Sequence, residues 1–399
     1  MTVTKEQAQE AYKKCGTYTA AAKSLGVHRT IISRLIRGCY YEGNGPSAVA
    51  SSVVEPDGYT THSAIRRRLE AERTMRRQVE EAFETYRAAH DFIEGLGEGY
   101  NAAEATIITP RVSKRTSESM SVLFNADWHA FEQVKKEEVN GLNEYTPTIC
   151  RDSVETASCF FVKQTDACRN ITTINDALVC YLGDLMSGQL WPDQIEGNAG
   201  SPLEEAVFVV DLIISQLTYI LAQGSFKNVH VYTVDGNHSR ITEKKRKANR
   251  AHHSLEWLIF QFVQRHFEKV GEKRIHFNIG VSIHNYIEMM YGVDTRHPNG
   301  LVWRLTHGDE GITYRGGVGG ISVPANRQIR LWNEGRKADL TAFGHLHTQE
   351  PNLRNYLAVG TTMGMSPNGL RYGYEPPTQA MLTVEKQKGI TGYYPIYVR

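Results

Sequence analysis

Three rhythms of apolar and polar positions follow one another along the chain. Between residues 4 and 37 the apolar positions come in short helical clusters. Thr4 and Gln7 have the spacing of a capping box that opens a first helix. Thr17 caps an alanine-rich second helix, TAAAKSL, which Gly26 ends. VHRTIISRLIR makes a third helix, with Ile32 and Ile36 on one face. Residues 39–58, CYYEGNGPSAVASSVVEPDG, have the Gly, Pro and Ser content of a linker. The stretch 63–94 holds neither Gly nor Pro. In it Ile65, Leu69, Val79, Phe83, Tyr86 and Ile93 recur near helical spacing, which predicts one long amphipathic helix. Charges such as Glu72 and Arg76 interrupt its heptad pattern.

From about residue 118 the pattern changes to short apolar runs that end in polar turns: SVLFNADWH, ALVCYLGDL, VHVYTVDGNH, LVWRLTHGD and LTAFGHLH. Helical stretches such as SLEWLIFQFVQRHF lie between the earlier ones. Buried strands alternating with helices predict a layered α/β domain. The expected division is a small all-α domain over 1–43, a linker over 44–62, the long helix over 63–96, a second linker over 97–117, and the α/β domain over 118–399.

Composition narrows the picture. The 399 residues are 41% hydrophobic and 22% charged, which is ordinary for globular chains. A net charge of +1 gives no whole-chain field toward nucleic acid, so any basic footprint is local. The six cysteines form no CxxC pair and no zinc-finger spacing, which fits free thiols in a reducing cytoplasm. The polar start lacks a signal-peptide core, and the longest apolar stretch, 206–222, contains Asp211, Ser215 and Gln216. It reads as a buried helix, so no membrane contact is expected.

The five strand-ending turns carry the candidate chemistry. They deliver Asp127 and His129, then Asp184, then Asn237 and His238, then His307, then His345 and His347. In α/β sheets, ligands gather past the carboxyl ends of strands. Carboxylate, imidazole and amide oxygen together suit divalent Mn, Fe or Zn, and the lack of cysteine argues against a structural zinc. Seven candidate ligands exceed one ion and suit two ions that share a carboxylate. His276, His284 and His297 match no motif and are expected to be structural. Trp128 reads as a packing or pocket-wall residue.

In order, Asp127-Trp-His129, Gly183-Asp184, Gly236-Asn237-His238, His307-Gly308 and Gly344-His345-Leu-His347 resemble the calcineurin-like metallophosphoesterase superfamily. The resemblance covers roughly residues 118–385. It implies central β-sheets flanked by helices, with Asp127, His129 and His347 on one metal and Asn237, His307 and His345 on a second. Asp184 would bridge the two ions, Mn being the first choice and Fe or Zn the others. It also implies a metal-activated hydroxide and His238 as the proton donor to the leaving group. Many members follow GNH with an acidic residue. Here Ser239 stands there, so the orientation of His238 is expected to come from another group, Asp235 or Asp309. GDLMSG in place of GDxxDRG disfavours the protein-phosphatase branch.

The N-terminal segment TAAAKSLGVHRTIISRLIR resembles a Fis-type helix-turn-helix. It would present His28, Arg29, Thr30, Ser33, Arg34 and Arg37 to a major groove. A helical hairpin for protein contacts has the same pattern. A second basic run, Arg240, Lys244, Lys245, Arg246 and Lys247 with Arg250 beyond, directly follows the GNH turn. It reads either as a solvated face or as cations holding a polyanion. The favoured expectation is a DNA-directed metallo-phosphodiesterase similar to the SbcD-type nuclease branch, from a bacterial or bacteriophage setting. The alternative is a phosphomonoesterase or small-molecule phosphodiesterase with a regulatory helix-turn-helix. A non-enzymatic DNA-binding protein comes third. The 63–96 helix offers a route to a homo-oligomer.

Overall fold

In the computed structural model the described residues are 3–28, 30–32, 36, 62–102, 117–294, 296–313, 320–367, 369–371 and 373–399. Arg29, Ser33, Arg34 and Arg37 of the expected DNA-facing helix lie outside them, as do nearly all of the expected 44–62 linker and most of the 97–117 one. The chain divides into two units, 1–110 and 111–399.

The first unit contains α1 (Lys5–Cys15), α2 (Tyr18–Ser24) and α3 (His62–Ala102). The Thr4–Gln7 capping box opens α1, and the Thr17 hydroxyl accepts from the Ala20 amide at the start of α2. Ala8, Ala21, Ala22 and Ile32 form a small buried cluster, with Tyr12, Tyr18 and Ile36 packed against it. The small alanines let the backbones approach closely, which is why a segment so short has any core. α3 runs past the expected end at 96, through Gly95 and Gly97, to Ala102. Its Ile65, Leu69, Val79, Phe83, Tyr86 and Ile93 are all exposed. Its arginines make surface pairs with glutamates one turn on, Arg76–Glu80 at 3.8 Å and Arg77–Glu81 at 3.3 Å.

The second unit is a layered α/β domain of two sheets flanked by helices. Its elements are β1 (Glu118–Asn125), α4 (Pro147–Arg169), β2 (Thr173–Tyr181), α5 (Pro192–Gly197), α6 (Pro202–Gln223), β3 (Asn228–Thr233), α7 (Leu255–Val270), β4 (Ile275–Ile279), β5 (Asn285–Met289), β6 (Leu301–Leu305), α8 (Ser322–Gly335), β7 (Leu340–Phe343), β8 (Glu350–Asn352), β9 (Tyr356–Ala358), β10 (Thr378–Glu385) and β11 (Gly389–Tyr397). One sheet has the order β11-β10-β1-β2-β3-β4, with β1 to β4 parallel and β10 antiparallel to both of its neighbours, β1 and β11. The other has the order β5-β6-β7-β9-β8, with β6, β7 and β9 parallel.

The two-residue period of β1 sends Val122 and Phe124 one way and Leu123 the other. Val122 and Phe124 join Leu178, Cys180, Trp303, Leu305 and Ala342 in the core between the sheets. Leu123 faces the helices and joins Ile213 and Leu217 of α6 and Phe260 of α7. Covered on both faces, β1 is buried at nearly every position, and its central Val122, Leu123 and Phe124 run apolar without alternation. α8 closes the outer face of the second sheet with Ala325 and Ile329 against Phe343 and Tyr356. α6 has the length and mean hydropathy, 1.7, to cross a membrane. Its Val209, Ile213, Leu217 and Ile220 are instead packed into the core over the first sheet.

Candidate metal centre

Five parallel strands, β1, β2, β3, β6 and β7, end on the same edge of the two sheets, and the turn after each carries the candidate ligands. These turns are conformationally expensive. Of the eight non-glycine residues with positive φ among the described residues, five are Asp127 (50°), His129 (46°), Asp184 (51°), His345 (69°) and His347 (55°). Each such residue costs on the order of 1–3 kcal/mol, and strain of this kind concentrates at functional sites.

The turns also interlock. A Cβ on Gly236 would lie 2.0 Å from Asp184 Oδ1, and one on Gly344 would lie 2.2 Å from Asp127 Oδ2. The glycine of GNH is therefore required by the aspartate of the GD turn, and the glycine of GHLH by the aspartate of the DWH turn.

Asp127, His129 and His347 form one group with metal-ligand spacing, and Asp184, His307 and His345 form another. In the first, Asp127 Oδ1 is 3.9 Å from His129 Nε2 and 3.4 Å from His347 Nε2, and the two Nε2 atoms are 3.0 Å apart. Bonds of about 2.0–2.2 Å to a shared ion put neighbouring ligand atoms about 3–3.5 Å apart, so the spacing fits one cation. In the second, Asp184 Oδ2 lies 2.9 Å from His307 Nε2. His307 Nδ1 donates to the Leu182 carbonyl at 2.8 Å, which turns Nε2 toward the site. Asn237 Oδ1 is buried without a hydrogen-bond donor, an orphan that a cation would satisfy. Asp184 touches both groups: its backbone carbonyl accepts from the His129 amide at 3.1 Å, and its Oδ2 lies beside His307.

The electrostatics follow from burial and the carboxylates. Burial, then the His238 charge, lowers His129 well below its usual value. Burial, then His307, lowers His345 to about 3. Both are thereby held in the neutral form that ligation needs. Burial also acts to lower His307, but the Asp184 charge outweighs it and raises His307 to about 10. A divalent cation beside Asp184 would compete with that proton.

Around the ligands stand residues with no motif. Glu256 of α7 accepts from the Leu185 amide at 2.6 Å and, with its other oxygen, from Gly236 at 2.7 Å, tying the GD turn to the GNH turn. Glu205 of α6 accepts from Phe131 at 3.0 Å and from Ser187 at 2.7 Å. Burial pushes Glu256 up to about 8 and Glu205 up to about 7. The sequence held one signal for both. Glu256 stands on the buried stripe of Phe260, Val263 and Phe267, and Glu205 stands on that of Val209 and Leu212. A carboxylate on an apolar stripe needs partners, here the backbone of the ligand turns.

His238 faces the site, with Nε2 3.8 Å from Asp184 Oδ2 and its ring 4.7 Å from that of His129. Its Nδ1 lies 2.9 Å from the Ser187 carbonyl and 2.6 Å from Gln194 Nε2. The expectation that Asp235 or Asp309 orients His238 is therefore corrected. Both carboxylates go to the buried Arg250, at 3.0 Å and 3.1 Å. Trp128 is fully buried, edge-on to Tyr181.

The basic run after the turn divides by contact. Arg240 donates to the carbonyls of Asn237 at 2.6 Å, Thr242 at 3.1 Å and Glu243 at 3.3 Å. Lys245 pairs with Asp309 at 2.7 Å. Lys244, Arg246 and Lys247 are exposed. In the first unit His28 and Thr30 are exposed and joined through Nδ1 and Oγ1 at 2.9 Å.

No protein-family profile matches the chain, and no curated protein does. Among solved structures it is similar to a dimetal phosphatase from Danio rerio, with 12% identity and a TM-score of 0.33 over 70% of this chain and 99% of that one. It is also similar to the sulfate thiohydrolase SoxB from Thermus thermophilus, with 11% identity and a TM-score of 0.28 over 72% of this chain and 58% of that one.

Proposed function

We propose that this chain is a metal-dependent phosphodiesterase acting on DNA, of the SbcD-like kind, with a Fis-like N-terminal module that binds duplex. The observation that carries the hydrolase reading is the convergence of two ligand groups, Asp127–His129–His347 and Asp184–His307–His345, beside the orphaned Asn237 oxygen and the half-buried His238. Two divalent ions bound there would polarise phosphoryl oxygens and supply hydroxide near neutral pH. A donor set of carboxylate, imidazole and amide without thiolate suits Mn first, with Fe and Zn as the other choices.

The chain's own residues do the rest. A bridging role for Asp184 is supported by its contacts to both groups, through its carbonyl to the His129 amide and through Oδ2 to His307. The Ser187 carbonyl fixes the Nδ1 proton of His238 and leaves Nε2 on the site side, where it can deliver a proton to a leaving alkoxide. Glu205 and Glu256 hold the turns so that these atoms do not drift. DNA as substrate is supported by the exposed Lys244, Arg246 and Lys247 after the GNH turn, and by the exposed His28 and Thr30 of the first unit.

The test is Mn-dependent turnover of plasmid and single-stranded DNA against a chromogenic phosphomonoester. Cleavage of DNA, abolished by EDTA and restored by Mn, is expected. Turnover of the monoester alone would replace the nuclease by a phosphomonoesterase.

A further inference from the structure

Trp191 is exposed where a tryptophan is usually covered. It keeps 41% of its surface in solvent, directly before α5, on the rim of the candidate metal centre. Its indole meets the His238 ring edge-on at 5.1 Å, and the Arg240 guanidinium stands 5.1 Å from its ring centre. Arg240 is pinned there by the three carbonyls of Asn237, Thr242 and Glu243, and among the described residues no carboxylate pairs with it. The loop is pinned as well. Gln194 Oε1 accepts from the amides of Leu190 at 2.9 Å and Trp191 at 3.3 Å, while its nitrogen lies 2.6 Å from His238 Nδ1. The same amide side chain therefore holds the Leu190–Trp191 backbone and stands against the leaving-group histidine.

We propose that Trp191, backed by Arg240, is a stacking platform for a nucleobase attached to the phosphate being cleaved. The proposal rests on the phosphodiesterase reading and adds to it the chemical class of the group beside the phosphorus. A rigid ring held beside His238 faces the side from which an alkoxide departs, so the base it receives belongs to the leaving nucleoside. Stacking on an aromatic face tolerates any base, and the unpaired Arg240 charge favours the phosphate that follows. An alkyl or acyl group would gain little from a flat ring and a fixed cation. A nucleoside uses both.

Two measurements test this. In the first, Trp191→Ala is compared with wild type on a dinucleoside monophosphate and on a ring-free dialkyl phosphodiester. Base stacking of the usual strength predicts that the ratio of kcat/KM between the two substrates falls about 5- to 150-fold. Most of the fall should lie in KM, and Trp191→Phe should restore most of it. An unchanged ratio, with both substrates impaired alike, would overturn the platform and leave Trp191 as a support for His238.

The second measurement needs no turnover. Quenching of tryptophan fluorescence by a thymidylate pentamer and by thymidine monophosphate is followed in the EDTA-treated full chain. Quenching by wild type that is lost in Trp191→Ala supports the platform even if neither diester is cleaved, in which case the phosphodiesterase reading alone fails. No quenching, or equal quenching in both proteins, overturns it. Tighter binding of the pentamer identifies a strand as the source of the base, and equal binding identifies a mononucleotide.

Discussion

Gly236→Ala is the sharpest test of the interlocked turns. A methyl group there would lie 2.0 Å from Asp184 Oδ1, 2.2 Å from the Asp184 amide nitrogen and 2.7 Å from its Cγ, whereas ordinary contact begins at 3.4 Å. Asp184 must therefore retreat by more than about 1 Å, beyond the roughly 0.5 Å within which a site keeps its working geometry. It cannot swing away cheaply. Its Oδ1 accepts from the His238 amide at 2.8 Å, and its backbone carbonyl accepts from His129. Overpacking of this kind costs about 1–3 kcal/mol. For a domain of this size that is a fall in Tm of roughly 2–12 °C. The larger effect should be on the ions, since Asp184 belongs to one ligand group and its carbonyl accepts from His129 of the other. The measurements are metal content by elemental analysis after Mn loading and the rise in Tm that Mn produces. Gly271→Ala is the control, because its φ of +72° strains the backbone while its Cβ meets nothing within 4 Å. It should cost about 1 kcal/mol and leave metal binding intact. If Gly236→Ala loads as much Mn as wild type, with the same Tm increment, the close approach of the two turns is not what holds Asp184 in place.

Four further outcomes are expected. Asp184→Asn should lower metal content at both sites in elemental analysis, and loss of a single ion would remove its bridging role. His238→Ala should keep its metal but lose rate by roughly 10²–10⁴-fold, more for an alkoxide than for a nitrophenolate leaving group, whereas loss of metal would make it a ligand. Arg250→Met strands the buried Asp235 carboxylate, leaves Asp309 to Lys245 alone, and should cost about 3–5 kcal/mol in urea unfolding; a cost near zero would mean that the cluster is not a structural clamp. His284 is lowered to about 4, first by burial and then by the Arg304 charge, against about 6.5 in an unfolded chain. The folded state then binds fewer protons, so the His284 contribution is complete above pH ~6.5 and is lost as pH falls toward 4. His284→Phe should flatten the slope of Tm with pH in that window, and an unchanged slope would clear His284 of it.

Five of the strands, β1, β2, β3, β6 and β7, were legible in the sequence, with the turns after them and the order of the candidate ligands. A strand covered on both faces runs apolar without alternation, as Val122 to Phe124 do, and one half-covered alternates, as VHVYT does, so both announce themselves together with the polar residues just past them. The caps at Thr4 and Thr17 were legible because capping is a contact across three residues of chain. What surrounds the site was decided only in three dimensions. Glu205 and Glu256 grip turns that lie 17 or more residues away from them, at Gly188 and Gly236 among others. No local spacing encodes such a contact; it follows from how α6 and α7 pack on the first sheet. His238 behaves the same way. Ser239 revealed that the usual acidic partner was absent, but the partners that replaced it, the Ser187 carbonyl and Gln194, come from the loop after β2 and from α5. Asp235 and Asp309 looked equally available in the sequence and were taken by Arg250, because the fork of a buried guanidinium has enough N–H donors to satisfy two carboxylates at once. Identity and order of the ligands are properties of the chain. Which oxygen holds which nitrogen is a property of the packing that brings distant turns onto one edge.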